Sequence, residues 1–172
     1  MKQVNWFDRK FNFNHNQHIL PSIIERLRLC PAGLIASIEG IKQEILVAKP
    51  KGKWSILENI GHLLDLEPIW QGRLDDILKN ETYLREADLS NTKTHQAQHN
   101  LTDAATLIGA FHKSRIKTLE ALEKLEETDV FKFALHPRLH QPMRTQDLFL
   151  FVADHDAHHL AQITYLKRLL QS

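Results

Sequence analysis

His155 and His159 stand four residues apart in Asp154-His155-Asp156-Ala157-His158-His159-Leu160-Ala161-Gln162. On a helix that spacing sets two imidazoles one above the other on one face. Leu148, Val152, Ile163, Leu166 and Leu170 extend the same face. The two rings therefore occupy places where a bundle core ordinarily holds aliphatic side chains. A buried polar ring needs a partner, and a divalent metal ion is one that two neutral imidazoles can share. A catalytic zinc or related ion takes three protein ligands and leaves one position open. His62 is the candidate for the third ligand, because it lies in a second apolar helical segment, Trp54-Ser55-Ile56-Leu57-Glu58-Asn59-Ile60-Gly61-His62-Leu63-Leu64-Asp65. Gly61 beside it costs about 1 kcal/mol in a helix interior relative to alanine. Close approach of a neighbouring helix is a reason for that glycine.

Any one of these histidines alone reads as a hydrogen-bonded core residue, since buried polar groups are ordinarily paired. The coincidence of three on apolar helical segments favours a metal. His158 points about 100° away from His159, which puts it at the edge of the site or on the surface. Asp154 and Asp156 read as solvent-facing charges; the alternative is that they orient a ligand imidazole. His15, His18, His95 and His99 fall in loop-like or terminal stretches and are expected to be solvated. His112 belongs to the surface or the margin of the core, and His136 and His140, flanking prolines, are candidates for a pocket rim. Glu58 precedes His62 by four residues, so no HExxH motif is present. Paired Glu-x-x-His motifs, Gly-rich phosphate loops, CxxC pairs and GxSxG are absent as well. Cys30, beside Pro31, reads as a packing residue.

The elements that must carry these side chains are helical. Six glycines and six prolines punctuate 172 residues, and apolar periodicity near 3.6 dominates. Residues 1–18 read as an irregular arm pinned to the body by Trp6, Phe7, Phe11 and Phe13. Residues 19–47 form a first helical region, with Pro21 in a first turn, Pro31 breaking or kinking it and Gly40 a second interruption. Lys49-Pro50-Lys51-Gly52-Lys53 is a loop. Ser55 with Glu58 makes a capping box for a second helix to about Lys79, which Pro68 should bend. Residues 82–100 are a polar connection long enough for a crossover, so that helices two and three can run parallel. Thr102 and Asp103 start a third helix to Leu125, with Ile116 among its apolar positions. Residues 130–142 form an extended loop or short hairpin, and Thr145 caps a fourth helix to the end. The expectation is an all-α four-helix bundle in one domain, 1–172.

A formal net charge of +1 gives no electrostatic case for nucleic acid or an anionic membrane. No stretch has the apolar length of a membrane span, and the N-terminus lacks a signal-peptide core. The single cysteine cannot form an internal disulfide, which fits a reducing compartment. We expect a cytoplasmic protein.

The segments Lys53-Trp54-Ser55-Ile56-Leu57-Glu58-Asn59-Ile60-Gly61-His62-Leu63 and His155-Asp156-Ala157-His158-His159-Leu160-Ala161-Gln162-Ile163 resemble the DinB/YfiT-like superfamily of metal-dependent enzymes. Ile24-Glu25-Arg26-Leu27-Arg28-Leu29-Cys30-Pro31 looks like the opening of that family's first helix. The resemblance implies up-down-down-up topology and a divalent metal, often nickel or zinc, held by three histidines, here His62, His155 and His159. It implies reactions on small molecules, hydrolysis or thiol S-transfer, the latter with a low-molecular-weight thiol, and it raises the expectation of a homodimer. Two other readings stand beside catalysis: a structural or sensory metal in a non-catalytic, stress-response module, and a metal-free polar network of the three histidines.

Overall fold

The structure, a computed structural model, describes residues 4–50 and 52–171. Residues 1–3 of the expected arm, Lys51 of the loop after the first helical region, and Ser172 at the end of the fourth helix lie outside the described residues.

The elements follow in the order α1 (Leu20–Ile38), α2 (Gln43–Val47), α3 (Ile56–Leu78), α4 (Thr92–Gln96), α5 (Ala104–Leu122), α6 (Glu127–Phe131), β1 (Phe133–Leu135), β2 (Pro142–Arg144) and α7 (Thr145–Gln171). Short 3-10 turns occur at Trp6–Asp8 and His99–Leu101. The four long helices form a bundle in which α1 and α3 each pack against both α5 and α7.

Cross-helix bonds fix the directions. Arg26 reaches Asp154 and Lys167 reaches Ser37, so α1 and α7 run parallel. Glu67 meets Arg115, and Gln71 meets Ser114 and Thr118, so α3 and α5 are parallel too. Asn59 pairs with His159 while Trp70 touches Phe151, which makes α3 and α7 antiparallel. This is the up-down-down-up order, and the segment between α3 and α5 is the crossover that the parallel pair requires.

Pro31 does not break α1; the helix runs through it to Ile38. A proline at 31 removes the N–H that would bond the Leu27 carbonyl. Arg115 Nη1 donates to that carbonyl from 3.4 Å, so a neighbouring helix serves the group the proline abandons. Pro68 likewise lies within a continuous α3, on its exposed side. Gly40, at φ 70°, marks the expected interruption by taking the left-handed conformation just past α1.

The capping box of α3 is present: Glu58 N–H donates to Ser55 Oγ at 3.0 Å, and Ser55 N–H donates to Glu58 Oε2 at 2.8 Å. Asp103 caps α5 by accepting the Thr106 N–H at 2.8 Å. Thr145 does not cap α7. Its hydroxyl donates instead to the Asp129 carbonyl at 2.7 Å, and the Asp147 carboxylate takes the Arg144 N–H at 3.1 Å. Residues 133–144 resolve as an antiparallel hairpin pairing Ala134 with Met143. Trp6, Phe11 and Phe13 pack on the core, but Phe7 is exposed beneath the Arg138 guanidinium, and Ile116 faces outward.

Two apolar clusters fill the bundle. One gathers Ile23, Leu27, Trp70, Leu74, Leu119 and Phe149 at the hairpin end. The other gathers Leu34, Ile56, Ile60, Leu107, Phe111 and Ile163 at the opposite end. A polar layer separates them. There Arg115, which is 1% exposed, bonds Glu67 through Nη2 at 2.6 Å and Asp156 through Nη1 at 2.6 Å. Thr118 donates to the second Glu67 oxygen at 2.7 Å. Burial pushes the Glu67 carboxyl up, and Arg115 and Thr118 oppose it. Burial also opposes the charge on Arg115, but Asp156 and Glu67 hold the guanidinium protonated. The histidines lie at the level of this layer. Among the described residues no helix is long and apolar enough to cross a membrane.

Candidate metal centre

His62 projects from α3, and His155 and His159 project from successive turns of α7. All three are buried. Their ring centroids are 5.3 Å (His62–His155), 4.9 Å (His62–His159) and 4.5 Å (His155–His159) apart. One nitrogen from each ring lies within 4.8 Å of the other two. The Nε2 atoms of His155 and His159 are 3.2 Å apart. Two nitrogens on one tetrahedral zinc at ordinary bond lengths stand about 3.3 Å apart.

The surrounding hydrogen bonds decide which nitrogen of each ring carries its proton. Asn59 Nδ2 donates to the Ser55 carbonyl at 2.7 Å, which turns its Oδ1 toward His159 Nδ1 at 2.9 Å. That oxygen can only accept, so His159 carries its proton on Nδ1 and presents a lone pair at Nε2. Thr94 spends its hydroxyl proton on Asp65 Oδ2 at 2.9 Å, so its oxygen accepts from His62 Nδ1 at 3.0 Å. His62 Nε2 is thereby also a lone pair. Among the described residues His155 Nδ1 is buried with no hydrogen-bond partner, and its ring packs in T-shaped contacts with Trp6 at 4.8 Å and Trp70 at 5.9 Å. Two of the three rings thus have the outer partner that metal-binding imidazoles ordinarily have; the third is positioned by aromatic packing.

Charge state agrees. Burial lowers His62 to about 4, helped by the positive potential of His99, His95 and His158 and resisted by Asp65. Burial holds His155 and His159 well below the ordinary imidazole value, with neighbouring histidines adding to the effect. All three are neutral at pH 7, the form that ligates a metal. The donor set fits a divalent cation: three buried, neutral, converging imidazoles with no carboxylate among them.

The residues around the cluster correct several expectations. His99 is buried rather than solvated, and its Nε2 meets Asp65 Oδ2 at 2.8 Å. It is also what Gly61 accommodates, since a Cβ there would overlap the His99 ring. The glycine was the available signal; the close neighbour is one ring from the crossover, not a helix. Asp156 is buried on Arg115 rather than facing solvent, whereas Asp154 lies at the surface on Arg26 as expected. His158 is at the edge of the site but buried, lowered to about 4 by burial and then Arg9, with its ring 5.3 Å from that of His159. His15, His18, His95, His112 and His140 are exposed. Burial first, then Asp156, pushes the Cys30 thiol far up, so it is an inert packing group.

A cavity of about 1500 Å³ adjoins the three rings. Trp6, Trp54 and Trp70 form much of its apolar wall, and Arg73, His136 and Arg138 line it as well. His136 is therefore a pocket residue, and a buried one.

An up-down-down-up four-helix bundle with three inward-facing histidines beside a cavity is the architecture that the resemblance to DinB/YfiT-like proteins implied. This chain belongs to the DinB superfamily, whose profile matches residues 26–163. Among solved structures it is similar to YfiT from Bacillus subtilis, described as a probable metal-dependent hydrolase with an unusual four-helix bundle topology. That similarity has 20% sequence identity and a TM-score of 0.80 over 94% of both chains, and it establishes the fold. No curated protein matches in sequence.

Proposed function

We propose that this protein is a metal-dependent enzyme acting on a small molecule, with 172 residues folded as one domain and with His62, His155 and His159 holding zinc or nickel. The observation that carries the reading is the pair of hydrogen bonds that His159 and His62 donate to Asn59 and Thr94. They commit His159 and His62 to the tautomers that turn their lone pairs inward. Without an ion, a proton on His155 Nε2 can serve the His159 lone pair at 3.2 Å but leaves the His62 lone pair without a donor among the described residues, whereas one divalent ion takes up all three. The rings line a cavity, which favours catalysis over a closed structural site. When bound, such an ion supplies Lewis acidity that favours the deprotonated form of a coordinated water or thiol, the chemistry of a hydrolase or a thiol S-transferase. The chain's own part is positional. Asn59 and Thr94 orient two rings, and Trp6 and Trp70 pack against the third.

Metal analysis of the purified protein tests this reading. We expect about one divalent ion per chain, lost in His155→Ala and in His159→Ala. Metal content unchanged in both variants refutes the site.

A further inference from the structure

At the far end of the same cavity His136 and Arg73 meet in a way that neither can satisfy alone. His136 Nδ1 accepts two backbone N–H groups, from Arg138 and Leu139, each at 3.1 Å. Two donors on Nδ1 place the ring's proton on Nε2. Burial, then the charges of Arg73, Arg138 and His140, lowers His136 to about 3, so no second proton is present. Yet Arg73 Nη1, also a donor, stands 3.2 Å from that same Nε2. Two N–H groups converge with no acceptor between them.

Arg73 adds a second anomaly. It is 2% exposed, yet among the described residues it enters no ion pair. Its Nε bonds only the Arg85 carbonyl at 3.1 Å. Asp76, the carboxylate one turn away, is occupied by the Arg85 side chain at 2.6 Å and the Arg85 N–H at 2.8 Å. A buried guanidinium whose nearest carboxylate, Asp76, acts on it only through space while bonded to Arg85 is costly, and such groups are rarely found unless directly paired. Arg138, from the hairpin connection, brings to the same wall a second guanidinium that stacks over Phe7 and enters no ion pair among the described residues.

We propose that Arg73, His136 and Arg138 form an oxyanion subsite for the carboxylate or phosphate of the substrate. A guanidinium fork suits either group, and an oxygen between Arg73 and His136 gives both N–H groups the acceptor they lack. His62, Leu66, Trp70 and Arg73 fall at i, i+4, i+8 and i+11 along one face of α3, and all four line the cavity. Eleven residues of helix span about 16 Å. The subsite therefore selects an elongated molecule: an anionic end at Arg73, an apolar or aromatic middle against Trp70, and the reacting group at the histidines. This deepens, and rests on, the proposed catalytic reading of the cavity.

The test is calorimetric binding of three probes to the full-length protein: 3-phenylpropionate, 2-phenylethyl phosphate and the neutral 3-phenylpropionamide. At least one anion is expected to bind about tenfold or more tightly than the amide, the scale of a charged hydrogen-bonded contact. Arg73→Gln removes that preference, and Arg138→Gln, on the hairpin connection, reduces it by about threefold. His155→Ala keeps it. Equal binding of anions and amide, no anion binding, or a preference that survives both arginine variants overturns the subsite. So does a preference lost in His155→Ala, because the anion then sits on the ion. Metal content read on the same samples separates this outcome from failure of the metal site itself.

Discussion

The hydroxyl of Thr94 lies 3.0 Å from Nδ1 of His62 and donates onward to Asp65 at 2.9 Å. The carboxylate that orients this imidazole therefore does so through an intervening hydroxyl, delivered by the five-residue helix α4 in the crossover. His99, from the next turn, holds the other end by bonding the same Asp65 oxygen at 2.8 Å.

Thr94→Val removes the acceptor and leaves His62 free to rotate or change tautomer. Outer partners of this kind typically contribute 10–100-fold to metal affinity. We expect a loss within that range for Thr94→Val and near-normal affinity for Thr94→Ser, measured by competition with a calibrated chelator. Equal affinity for wild type and Thr94→Val would show that the hydroxyl does not orient the ligand.

Gly61 and His99 should be coupled. In the native protein Gly61→Ala drives a methyl group into the His99 ring, and overpacking of this kind costs about 1–3 kcal/mol. In a His99→Ala background the ring is gone and alanine is the better helix former by about 1 kcal/mol. The same substitution should then stabilise. Denaturant unfolding of the four proteins reads the change of sign, and a like penalty in both backgrounds contradicts it.

Arg115 neutralises two buried carboxylates from two other helices. Arg115→Met strands both, and breaking a buried pair in this way costs about 3–5 kcal/mol. Adding Glu67→Gln and Asp156→Asn removes the stranded charges, so the triple variant should regain much of the lost stability. Chemical denaturation that finds Arg115→Met as stable as wild type would show the polar layer to be energetically idle.

His136 gives the protein an acid-sensitive element. Its folded value is lowered to about 3 by burial and then by Arg73, Arg138 and His140, against an ordinary 6.5. Below pH 6.5 the unfolded chain takes up a proton that the folded chain refuses. Stability from this group is therefore complete above pH 6.5 and is lost as pH falls toward 3, with the unfolding equilibrium shifting by at most about tenfold per pH unit. His136→Gln lacks this dependence. The stability difference between wild type and variant should change across that window and stay constant above it; a difference flat from pH 7 to pH 4 would mean that His136 is not held neutral.

What the sequence alone determined is what local periodicity encodes. The four-residue spacing of His155 and His159 on an aliphatic face, His62 on a second such face, and the Ser55–Glu58 capping box all follow from helix geometry within a few residues. Gly61 announced a close contact, and the long connection allowed a parallel α3 and α5. The tertiary structure decided which polar groups meet across the bundle. Arg115 finds Glu67 48 residues away and Asp156 41 away, and His99 finds Asp65 34 away. Asp156 and His99 look solvated by composition, because nothing in their neighbours' identity states which face of a distant helix they will meet. Pro31 reads as a break or kink by its own chemistry, and only the Arg115 side chain at the Leu27 carbonyl shows how the freed acceptor is served. Burial of a charged or polar side chain depends on a partner brought by folding, so it is a property of the assembled bundle and not of any one helix.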